Sequence, residues 1–80
     1  MPKHDLPTYA IVELLIRLEK YNSSIGHYKN HSVYDNGVVV KTSGGSITFT
    51  QQLVMQQFES PELITEDILA DTATGFKSAN

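Results

Sequence analysis

His27 and His31 are spaced i, i+4, and such a pair of imidazoles on one helix face can hold a metal ion. Gly26 and Asn30 instead place them in a loop leading into a strand, and no third ligand is evident nearby. They read as loop histidines in water. A second candidate is the row of carboxylates Glu59, Glu62, Glu66, Asp67 and Asp71. A calcium loop alternates its oxygen ligands around a glycine, and this row has no such pattern. It reads as a solvated helix face, with Glu59, Glu62, Glu66 and Asp67 as the expected docking residues for a basic partner protein.

Gly44-Gly45 could be imagined as a phosphate cradle, but a phosphate-binding loop adds further glycines and a Lys-Ser/Thr pair that opens a helix. Here a β-branched run follows, so the pair reads as a turn. Nucleophilic catalysis needs a serine or threonine with a histidine base and an orienting acid, and no local motif selects such a set. Zero cysteines exclude thiolate zinc sites, cysteine nucleophiles and disulfides. The expectation is a protein that is not an enzyme, with no catalytic residue, no metal site and no cofactor.

The elements that would position any site follow from periodicity. Residues 31–50, HSVYDNGVVVKTSGGSITFT, hold three short β-branched runs separated by Asn36-Gly37 and Gly44-Gly45, which is the pattern of a β-meander. Two-residue turns at those pairs oppose Tyr34 to Val39, Val33 to Val40, Thr42 to Ile47 and Val40 to Phe49. Alternation then puts Val33, Val38, Val40, Ile47 and Phe49 on one face, and Tyr34, Val39, Lys41, Thr48 and Thr50 on the other. A helix is predicted over residues 7–23, opened by Pro7 or Thr8 and unbroken until Gly26. Its polar residues Glu13, Arg17, Lys20 and Ser24 occupy a strip about 60° wide, whereas the apolar arc spans roughly 240°. A helix over 51–59, capped by Thr50, and a last helix over 61–70, opened by Ser60-Pro61-Glu62, complete the prediction. The small polar stretch from Asp71 reads as a flexible tail. The fold class is therefore α+β, in the order αβββαα, as one domain over residues 1–80.

The order αβββα resembles that of the double-stranded RNA-binding domain. That family grips phosphates with lysines at the start of its second helix. The matching stretch here, TQQLVMQQ over 50–57, contains no cation, so the resemblance stops at topology. Net charge is −3, with five cations against four anions up to Gln57 and one cation against five anions beyond it. That balance argues against general nucleic-acid affinity, which grows from lysine and arginine on phosphates. Tyr28 and Tyr34 with Lys29, Lys41 and His31 form only a faint single-strand-binding pattern. No apolar run approaches the roughly 20 residues of a membrane span, and Glu13 and Arg17 interrupt the run that a secretory signal would need. A cytoplasmic location is expected.

Eighty residues bury only about 60% of their unfolded surface, so a second copy is the expected source of extra burial. The wide apolar arc of the first helix points the same way. Ile11, Val12, Leu15 and Ile16, with Tyr34 and Val39 on the outer sheet face, are the expected interface of a homodimer. The functional expectation is a homo-oligomeric interaction or regulatory module. The alternative is an acidic inhibitor of phage or mobile-element type that blocks a nucleic-acid-handling enzyme, and direct nucleic-acid binding is a third.

Overall fold

The protein, represented by a computed structural model describing residues 5–79, is an α+β fold. Helix α1 (Thr8–Leu18) precedes β1 (Tyr28–Tyr34), β2 (Gly37–Thr42) and β3 (Gly45–Phe49). Helix α2 (Gln51–Glu59), a 3-10 turn (Pro61–Leu63), α3 (Glu66–Ala73) and β4 (Lys77–Ser78) follow. The sheet is antiparallel in the order β1-β2-β3-β4, so its edges are β1 and the two-residue β4. The three helices cover one face. Val38, Val40, Ile47 and Phe49 point into a continuous core with Ala10, Ile11, Leu14, Leu15, Leu18, Val54, Ile64, Leu69 and Ala73.

The meander forms with a register two residues away from the predicted one. Tyr34 pairs with Gly37 and Val33 with Val38, while Thr42 pairs with Gly45 and Val40 with Ile47. The loops are therefore Asp35-Asn36 and Ser43-Gly44. A type I′ turn requires positive φ at both central residues, and no non-glycine residue in the described chain has positive φ. The glycines act just after the turns instead, with Gly37 at φ 145° and Gly45 at φ 155°. A two-residue offset preserves side-chain parity, which is why the predicted inner face is the one observed.

Helix α1 ends five residues before the predicted boundary. After Leu18 the chain tightens through Tyr21 N–H to Leu18 O (2.9 Å), and the Asn22 side chain accepts from Ser24 N–H (3.0 Å). The gain is Ile25, which is fully buried in the core; a helix continued to Ser23 would carry the chain past that position. The segment after α2 also differs. Ser60-Pro61 starts only one 3-10 turn, Ile64 is extended and buried, and Thr65 caps α3 by accepting from Ile68 N–H at 3.3 Å.

The expected flexible tail from Asp71 is structured as far as Ala79. Helix α3 runs through Ala73, Phe76 packs on the core, and Lys77 and Ser78 pair with Ser46 and Gly45. Asn80 and residues 1–4 lie outside the described residues. No described helix is long and apolar enough to cross a membrane.

Candidate functional site

Arg17 shows what became of the polar strip on α1. It is half-buried, and its guanidinium donates to Gln57 Oε1 (2.6 Å), Pro61 O (3.1 Å) and Ile64 O (3.0 Å). Its planar fork thus ties α1 to α2 and to the chain entering α3. Much of the 240° apolar arc is covered from within the chain as a result. Ile11 is fully buried and Leu15 is 3% exposed. These two expected interface residues are interior, because α2 and α3 join the sheet in covering α1. Ile11 has no outward surface to offer a second copy, and Leu15 only the sliver that lines a hollow.

The other interface residues do reach the surface. Ile16 is 56% exposed, Val12 is half-buried, and Tyr9, two turns before Ile16 on the same helical face, is open to solvent. On the outer sheet face Tyr34 is 52% exposed and Val39 half-buried. Val12, Leu15, Ile16 and Glu19 of α1 face Gly26, His27 and Tyr28 across a surface hollow of about 310 Å³. The hollow sets α1 beside the loop that enters β1 and the first residue of that strand, and β1 is an outer strand of the sheet formed by the described residues. The apolar stripe of α1 and the start of β1 thus meet at this hollow.

The two histidines are not brought together as a ligand pair. His27 is exposed before β1, whereas His31 is in β1 opposite Val40, half-buried, with Nδ1 hydrogen-bonded to Tyr28 Oη at 2.8 Å. Among the described residues no group of three histidines, cysteines or carboxylates could hold a metal ion.

The docking carboxylates are spread over three elements. Glu59 ends α2, Glu62 is in the 3-10 turn, and Glu66 and Asp67 form the first turn of α3. All four are exposed. For Glu66 and Asp67 the structure supplies a local role, since negative charge in a first turn stabilises the helix dipole.

Gly44 and Gly45 are sites of close backbone approach. A Cβ on Gly44 would meet the carbonyls of Ser24 and Ile25, and one on Gly45 would meet the Lys77 carbonyl of β4. Buried Thr42 organises this corner: its hydroxyl donates to Ile25 O and accepts from Gly44 N–H (3.2 Å) and Gly45 N–H (3.1 Å). Sequence reasoning missed Thr42, although alternation in the run VVVKTSGG gives it the inward parity of Val38 and Val40.

No family model matches the chain, and no curated protein or solved structure matches it either.

Proposed function

We propose that the protein is a non-enzymatic interaction module that works as a homo-oligomer, with the α1–β1 side as its self-association surface. The observation that carries this reading is an exposed apolar stripe on α1 that borders a hollow walled by the loop into β1, the strand at the edge of the sheet. An edge strand presents unpaired N–H and C=O groups. Antiparallel pairing of β1 with β1 of a second copy is two-fold symmetric and would extend the sheet, and two-fold dimers are the commonest assembly. The same rotation would bring the two α1 stripes, Val12 and Ile16, towards each other beneath the joined sheets. β1 carries no proline and only one charged residue, Lys29, at its bulge, so little on the edge opposes pairing.

Paired variants test this. Ile16→Glu changes an exposed position and is expected to leave circular dichroism near wild type while lowering the mass by light scattering to that of a monomer, with the urea midpoint falling by the lost association. Leu15→Glu buries a charge in the core and is expected to unfold the chain. An Ile16→Glu protein that keeps the wild-type mass would refute the surface.

A further inference from the structure

We propose that the outward face of the sheet binds the phosphates of a single-stranded nucleic acid. The described cations are Arg17, Lys20, Lys29, Lys41 and Lys77, and Arg17 is occupied by the α1–α2 clamp. Three of the remaining four, Lys29, Lys41 and Lys77, line one hollow of about 350 Å³ at the end of the sheet. Asn30, Ser43 and Ser46 line it too, and among the described residues no carboxylate does. The arrangement comes from strand register. Asn30 pairs with Lys41, Lys41 with Ser46, and Ser46 with Lys77, so one rung crosses all four strands. Lys41 and Lys77 stand two strands apart on that rung, about 10 Å.

The charge of the molecule is thereby divided. Seven of its nine carboxylates belong to the helical layer, and only Asp35, in the β1–β2 turn, lies within the meander. A net charge of −3 conceals a cationic patch on the opposite layer. Lysines with amide and hydroxyl groups among them match a row of phosphate oxygens. An aromatic platform is the second requirement of single-strand binding, and it is present: Tyr34 has the same strand parity as Asn30 and Ser32 and is exposed. Tyr34 lies four residues along β1 from the lysine rung, about 13 Å. A strand crossing the rung and running along β1 would reach both. A duplex would not offer an unstacked base to Tyr34, and an acidic peptide would make no use of the ring, so a single strand is the ligand that uses the whole face.

Fluorescence anisotropy of the full chain with a labelled oligouridine of about a dozen nucleotides tests this at low salt. Three neutralised phosphates predict that log K falls against log salt with a slope of about −2. Lys41→Glu and Lys77→Glu are each expected to weaken binding at least about tenfold, Tyr34→Ala about fivefold or more with the salt slope unchanged, and Lys20→Glu on the helical layer far less. Circular dichroism of each variant checks that it folds. No binding at low salt, equal affinity for duplex or for polyglutamate, or insensitivity to Lys41→Glu and Lys77→Glu would overturn the proposal.

Discussion

Arg17 is the side chain whose role changes most between sequence and structure. In an amphipathic helix a cation in a narrow polar strip reads as solvated, and nothing in the run AIVELLIRLEK says that a second helix lies over it. Its three acceptors lie 40 to 47 residues ahead in the chain. Removing the fork leaves the Gln57 amide oxygen, in a residue only 8% exposed, without its donor. Arg17→Ala is therefore expected to lower stability by about 2–3 kcal/mol, read as a fall in urea midpoint at unchanged slope. Arg17→Lys should recover only part of the loss, because one ammonium cannot match three separated acceptors. Full recovery with lysine would mean that charge alone, and not the fork, joins the helices.

The elements themselves were legible where the signal is local. Helix α2 runs over the predicted residues with the predicted Thr50 cap, whose hydroxyl accepts from Leu53 N–H at 3.0 Å. The inner face of the meander follows from parity, which a two-residue slip does not disturb. The elements that escaped depend on distant partners. α1 stops early because Ile25 has a place in the core, and β4 exists because Gly45 lets Lys77 approach its backbone. In the otherwise small and polar stretch after Ala73, Phe76 was the one sign of burial. The candidate surfaces were legible only in part: the outward placement of Lys41 follows from alternation, but its alignment with Lys29 and Lys77 needs β4. Gly45→Ala places a methyl against the Lys77 carbonyl at a φ that favours glycine. It is expected to cost about 1–3 kcal/mol and to release β4, seen as lost hydrogen-exchange protection at Ala79, whose N–H donates to Gly44 O at 3.0 Å. Retained protection at Ala79 would show that β4 docks without that close approach.

Taken together, the molecule presents three chemically different surfaces. The helical layer is acidic, the outer sheet face carries the lysine rung, and the α1–β1 side is apolar with an open edge. Pairing through β1 would leave both outer faces free and set them side by side, so self-association and binding on the lysine rung are compatible. The chain's small size gives association an energetic motive, since a domain of this length buries a modest share of its surface alone. Sedimentation velocity of the unmodified protein at low micromolar concentration tests that claim most directly. The account predicts a single species of twice the chain mass, dissociating on dilution. A well-folded species at the mass of one chain throughout that range would contradict it.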